Sequence, residues 1–237
     1  MGNVVSELID SRDDMITIAG LDRLEDLSGR FPIYSSVDDI KEDVDCIVDF
    51  SNPSLLDTLL EYAEENKLSM VLCTTGYSDE QLIQIEKASE KIPIFFSMNM
   101  SLGINLLIEL AKKASKVFGD QFDVEIIEKH HNQKIDAPSG TAYMIADAVN
   151  DVNDGKYHYE YNRNAVRQKR EPNEIGIHSV RGGTIVGEHE VLFAGHDELL
   201  QITHTALSRE VFAVGAVNAV KFVVGKKPHM YNMSDMI

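Results

Sequence analysis

At 237 residues with 43% hydrophobic side chains, the chain is long enough for one large domain or two small ones and apolar enough to fold. Its 39 acidic and 22 basic side chains give a net charge of −17, which argues against a nucleic-acid partner because phosphate neutralisation needs a basic footprint. No apolar run approaches the ~20 residues of a membrane span, no signal-peptide pattern opens the chain, and Cys46 and Cys73 read as buried free thiols of a cytoplasmic protein.

The chain begins on a helix-like run, Met1–Val5. Met15–Ala19 reads as a short strand, followed by strands at Cys46–Phe50, Ser69–Leu72 and Ile94–Ser97. Continuous apolar runs of four or five residues suit strands buried on both faces of a parallel sheet. Helical patterns lie between them. Asn52 is a plausible N-cap with Pro53 at the first helical position, and Ser78 with Gln81 makes a capping box. This alternation predicts a doubly wound α/β domain.

The pattern changes after Ser101. Leu102–Phe118 reads as a long apolar helix, Phe122–Ile127 as a strand and Ala142–Val149 as a helix. Strands around Gly176–Val180, Gly187–Ala194 and Leu199–Ala206 look antiparallel, with Arg181–Gly183 and Ala194–Asp197 as turns between them. Residues 150–173 show little apolar periodicity and read as a long surface loop, with a mobile-looking basic stretch at Arg163–Arg170. The last helix, about Arg209 to Phe222, starts after Ser208. Strands that follow an α/β half predict a second, mixed α+β domain.

The segment from Glu128 to Thr141 concentrates chemistry. It places His130, His131, Lys134 and the turn Ser139, Gly140, Thr141 between a strand and a helix. Histidine titrates near neutrality and trades protons, and lysine supplies a point charge for a carboxylate or phosphate. A turn of small residues opening a helix leaves backbone N–H groups for an anion. A metal site from His130, His131 and Asp136 lacks the usual ligand spacing and any nearby thiol, and Ser139 lacks the strained elbow of a serine nucleophile. Arg181 could assist a carboxylate or simply sit in a solvated turn. The other histidines, at 158, 178, 189, 196, 204 and 229, carry no motif.

The order His130-His131-x-x-Lys134-x-Asp136-Ala137-Pro138-Ser139-Gly140-Thr141 closely resembles the catalytic signature of the 4-hydroxy-tetrahydrodipicolinate reductase (dihydrodipicolinate reductase) family, and the resemblance covers nearly all of the chain. It implies NADH- or NADPH-dependent reduction of a cyclic imine dicarboxylate in the diaminopimelate route to lysine. His130 would be the general acid/base, with Lys134 either donating a proton or steadying an anionic intermediate. His131, Ser139, Gly140 and Thr141 would bind the substrate.

The resemblance extends to a Rossmann-like cofactor domain. Cys73, Thr74, Thr75 and Gly76 match a Gly-Thr-Thr-Gly loop beside the nicotinamide, with cysteine in place of the first glycine. Ser97, Met98, Asn99 and Met100 match a hinge loop in which Met100 replaces an aromatic residue. Asp22 and Arg23 stand where an acidic residue reaches the adenosine ribose and an arginine receives a 2′-phosphate, so both dinucleotides remain open. The family's glycine turn ends in Met-Gly, matched here by Met1-Gly2. The first strand and most of the phosphate cradle are therefore expected upstream of an internal methionine; the alternative is a short, non-catalytic relic. A third reading, another two-domain dehydrogenase acting on an amino acid or sugar, has no reason to carry the His-His-to-Thr order. The expected organisation is a discontinuous dinucleotide-binding domain, 1–100 with 208–237, and a substrate-binding and oligomerisation domain, 101–207, in a homotetramer joined through the second domain's sheet.

Overall fold

The computed structural model describes every residue except Leu27 and Val166. In chain order the elements are α1 (Gly2–Asp10), β1 (Gly20–Leu21), β2 (Ile33–Tyr34), β3 (Cys46–Asp49), α2 (Leu56–Asn66), β4 (Ser69–Leu72), α3 (Asp79–Ser89), β5 (Pro93–Phe96) and α4 (Leu102–Phe118). They continue with β6 (Asp123–His130), α5 (Gly140–Asp151), β7 (His158–Glu160), β8 (Glu174–Arg181), β9 (Gly187–Ala194), β10 (Leu199–Ala206), α6 (Glu210–Val223) and β11 (His229–Tyr231). The chain divides into two units, Met1–Leu102 with Glu210–Ile237, and Gly103–Arg209.

The first unit is built on a parallel four-stranded sheet of order β11-β5-β4-β3. Alternation along the strands serves both faces. Met70, Leu72 and Ile94 pack under Leu56, Leu59 and Leu60 of α2 and Ile85 of α3. Val71 and Phe95 point the other way, under Ala216, Ala219 and Val223 of α6. Each of the larger side chains here, Leu, Ile, Met, Val or Phe, once fully buried, stabilises the fold by about 1.5–3 kcal/mol. The caps read from sequence are present. Asn52 accepts from Ser54 N at the 3-10 turn Pro53–Leu55 that leads into α2, and Ser78 and Gln81 cap α3 reciprocally.

One expectation for this unit needs correction. Met15–Ala19 joins no sheet, and the strand begins only at Gly20, where β1 pairs with the two residues of β2. A strand needs a neighbouring backbone, and Met15 instead packs its side chain against the cluster of Val5 and Ile9 of α1 with Ala213 and Val217 of α6. The edge strand β11 was not anticipated, because three residues carry too little periodicity to stand out.

The second unit is a five-stranded mixed sheet of order β10-β9-β6-β8-β7. Ile104, Leu107 and Ile108 of α4 and Ile145 and Val149 of α5 pack on one face, against Val124 and Ile126 of β6, Ile175 and Ile177 of β8, and Val191 and Phe193 of β9. β9 and β10 form the expected antiparallel hairpin, closed by Gly195 N donating to Glu198 O at 3.0 Å. β8 and β9 do not pair. β6 lies between them, parallel to β8 and antiparallel to β9, so the glycines after Arg181 bridge over the end of β6 rather than form a hairpin. Gly182 N donates to His130 O at 2.9 Å, and Asn132 N to Gly183 O at 3.2 Å, which fixes that crossing.

The expected long loop at 150–173 is also more structured than its composition suggests. α5 runs to Asp151, β7 pairs with β8, and the basic stretch is anchored by ion pairs. Arg163 pairs with Glu125 and Glu174, and Arg170 with Asp123 and Glu125, while Val166 lies outside the described residues. Side chains that look solvated in sequence meet carboxylates supplied by distant strands.

Candidate active site

Strand register builds the core of the site. Even-numbered residues of β6 face the helices, so the row Val124, Ile126 is continued by Glu128 and His130 on the same buried face. Pairing sets Glu128 opposite Ser179 of β8 and His189 of β9, and sets His130 opposite Arg181. A hydrophobic stripe thus ends in five polar side chains at the carboxyl end of the central strand and its neighbours.

The Glu128 side chain is fully buried and its two oxygens are saturated. Arg181 donates one Nη to each, at 2.8 and 2.7 Å, Ser139 N donates to Oε1 at 3.1 Å, and His130 Nδ1 lies 2.6 Å from Oε2. Burial pushes the carboxyl up, but the hydrogen bonds from His130 and Arg181 outweigh it and hold Glu128 well below the usual carboxylate range. Arg181 also donates to the carbonyls of Val180 and Asp136. Its fork is taken by Glu128, so the partly exposed side chain is held in place rather than free in a solvated turn.

His189 lies beside this group, its ring 5.2 Å from that of His130 and its Nε2 3.0 Å from Ser139 Oγ. Burial, helped by the facing His130, holds its imidazole down at about 4, so His189 is neutral near pH 7. Ser139 Oγ also caps α5 by accepting from Ala142 N at 3.2 Å. With Ser139 N on Glu128, the start of the helix is tied to β6, and Gly140 stays exposed there.

His131 and Lys134 close one turn, Lys134 N donating to His131 O at 3.2 Å. Both side chains are partly exposed, and Lys134 Nζ pairs with Asp136 Oδ1 at 2.9 Å, which lowers the Asp136 carboxyl through that hydrogen bond. His130, Lys134, His131, Ser139, Gly140 and Thr141 therefore sit on one strand end, one loop and one helix start. Sequence reasoning gave no role to Glu128 or His189. The one available signal was strand alternation, which puts Glu128 and His130 on the same face two residues apart.

The cofactor candidates divide in two. Cys73–Gly76 and Ser97–Met100 leave the carboxyl ends of the adjacent parallel strands β4 and β5. Asp49, ending β3, organises that edge. Its carboxylate accepts from Ser51 N at 2.8 Å and from the Tyr77 hydroxyl at 3.0 Å, and its carbonyl accepts from Cys73 N at 2.8 Å. Cys73, Thr74, Ser97, Asn99 and Met100 are buried, whereas Thr75, Gly76 and Met98 are exposed. Gly76 has φ +85°, and a Cβ there would meet nothing within 4 Å. Open backbone at the carboxyl ends of parallel strands is where a dinucleotide lies in such sheets, so these loops fit that group. Asp22 and Arg23, exposed after β1, touch none of these residues through any described hydrogen bond or ion pair.

The comparisons with known proteins agree over the whole chain. Residues 1–100 match the family model described as dihydrodipicolinate reductase, N-terminus, and residues 103–237 match the one described as dihydrodipicolinate reductase, C-terminus. The chain belongs to the dihydrodipicolinate reductase family. The 4-hydroxy-tetrahydrodipicolinate reductase of Caldanaerobacter subterraneus subsp. tengcongensis is 51% identical over all 237 residues, which span 94% of that protein. That of Clostridium novyi is 46% identical, again over all of this chain and 94% of the relative. Among solved structures, dipicolinate-bound dihydrodipicolinate reductase from Paenisporosarcina sp. TG-14 superposes with a TM-score of 0.81 at 27% identity, covering 100% of this chain and 95% of that one. An amine dehydrogenase from Mycobacterium smegmatis shares the fold alone, with a TM-score of 0.63 at 10% identity over 98% of this chain and 92% of that one.

Proposed function

We propose that this chain reduces 4-hydroxy-tetrahydrodipicolinate to tetrahydrodipicolinate with NADH or NADPH, in lysine and diaminopimelate synthesis. The observation that carries the reading is the His130–Glu128–Arg181 constellation joined to the start of α5 in a member of this family. In this reading the first unit is the dinucleotide-binding domain and the second binds the diacid. Bound nicotinamide supplies the hydride. Cys73, Thr74, Thr75, Ser97, Met98, Asn99 and Met100 line its site, and Asp22 and Arg23 meet the adenosine ribose or its 2′-phosphate.

The protein's own residues manage the protons and the negative charge. The net change consumes one hydride and one proton and releases water. His130 Nε2 passes a proton to the carbon that becomes electron-rich, and Lys134 Nζ turns from Asp136 toward the substrate to steady the developing anion. His131, Gly140 and Thr141 hold a carboxylate at the positive end of α5, and Ser139, with its N on Glu128 and its Oγ beside His189, positions that turn for the substrate. Among the described residues no group of three or more His, Cys, Asp or Glu side chains could hold a metal ion. No described helix is long and apolar enough to cross a membrane. We place the enzyme in the cytoplasm, where Cys46 and Cys73 remain thiols, as a homotetramer joined through the second unit's sheet.

Steady-state kinetics with 4-hydroxy-tetrahydrodipicolinate test this. His130→Gln and Lys134→Ala should each lower kcat by about 10²-fold or more, while the Kd for NADH stays within about twofold. Unchanged kcat, or equal losses in turnover and dinucleotide binding, would reject their assignment to the substrate side.

A further inference from the structure

We infer that Glu128 is a positioning residue for His130, holding the ring proton on Nδ1 so that Nε2 is the nitrogen that exchanges protons, with Arg181 as the counter-ion. The inference rests on the reading of His130 as the acid/base group. It adds a residue that the signature does not explain.

Three observations carry it. A carboxylate bound by both arms of a guanidinium is ionised and only accepts hydrogen bonds, so the 2.6 Å contact requires the proton to sit on His130 Nδ1. The other nitrogen faces Gly187 of β9, where a Cβ would stand 3.2 Å from Nε2; glycine keeps that edge of the ring uncrowded. The Glu128 oxygens also receive Ser139 N, so one buried carboxylate aligns both the imidazole and the first turn of α5. The residues that could compete for the ring are accounted for. His189 is turned to Ser139, Lys129 pairs with Glu188 on the opposite face of the sheet, and Lys134 pairs with Asp136.

A purely structural contact would stabilise the loop without setting the rate of turnover, and that difference is measurable. In the full-length protein labelled with 15N in its imidazoles, long-range proton–nitrogen correlation should show neutral His130 as the Nδ1–H form. An Nε2–H form overturns the inference. In Glu128→Gln the side-chain amide donates to Nδ1, so the proton should move to Nε2 and kcat should fall at least about tenfold, with the KM for NADH within about twofold. Glu128→Asp should recover part of the rate. Parental kcat in Glu128→Gln, or a fall in Tm with no change in tautomer, overturns the inference. If Glu128→Gln fails to fold, the tautomer of the parent protein decides. If the parent protein turns over no 4-hydroxy-tetrahydrodipicolinate, the proposed function fails, while the tautomer measurement still decides the part assigned to Glu128.

Discussion

His189 shows how burial sets the chemistry of a single side chain. Its imidazole is held down at about 4, mainly by burial and then by the facing His130, whereas in the unfolded chain it titrates near the ordinary ~6.5. Between those values the unfolded state binds more protons than the folded one, so stability is complete above about pH 6.5 and is lost as pH falls toward about 4. The loss is on the order of 3 kcal/mol at most, taking ~1.4 kcal/mol per pKa unit. His204, also lowered by burial, acts in the same direction. Glu128, held low, gives up stability only at more acid pH, below the ordinary carboxyl range. Urea unfolding across this window should give a clear slope in the parent protein and a flatter one in His189→Gln. Equal slopes would show that His189 titrates normally in the fold.

Among the secondary-structure elements, α6 depends on a glycine for its place on the first unit's sheet. A Cβ at Gly215 would lie 1.7 Å from the Met100 carbonyl oxygen and 2.8 Å from its carbonyl carbon, both rigid backbone atoms. Helix propensity favours alanine over glycine by about 1 kcal/mol, but a clash with backbone forces the helix or the Ser97–Met100 loop to move. Overpacking of this kind costs about 1–3 kcal/mol or more. Gly215→Ala should therefore lower the urea midpoint and weaken NADH binding, because the loop it displaces belongs to the proposed cofactor site. A midpoint above that of the parent would show that propensity wins. α6 itself, like α3 and α4, was legible from caps and apolar spacing. β8 and β9 were legible as strands but not as neighbours, because alternation fixes which residues face the core and says nothing about which strand inserts between them.

For the whole molecule, exposed apolar residues on an edge strand support the proposed tetramer. Leu199 is 65% and Leu200 37% exposed on β10, which pairs on one side only. An uncovered apolar edge invites association with another chain. Light scattering should give four chain masses for the parent protein and fewer for Leu199→Asp/Leu200→Asp; a monomeric parent would reject the assembly. The net charge of −17 makes a local cationic pocket necessary for a diacid.

Short-range signals were sufficient to identify the α/β class, most helix ends and the family, because capping, apolar periodicity and an unbroken motif each act over a few residues of chain. His130, Lys134 and the Ser139–Thr141 turn were legible for the same reason: they are neighbours in sequence. Arg181, His189 and Gly187 reach Glu128 and His130 only through the pairing of β6 with β8 and β9, at separations of about fifty to sixty residues. Tertiary structure alone decided that a carboxylate would be buried against a guanidinium and an imidazole rather than left in water. Burial and long-range register set the ionisation of a side chain, and neither is written in its immediate neighbours.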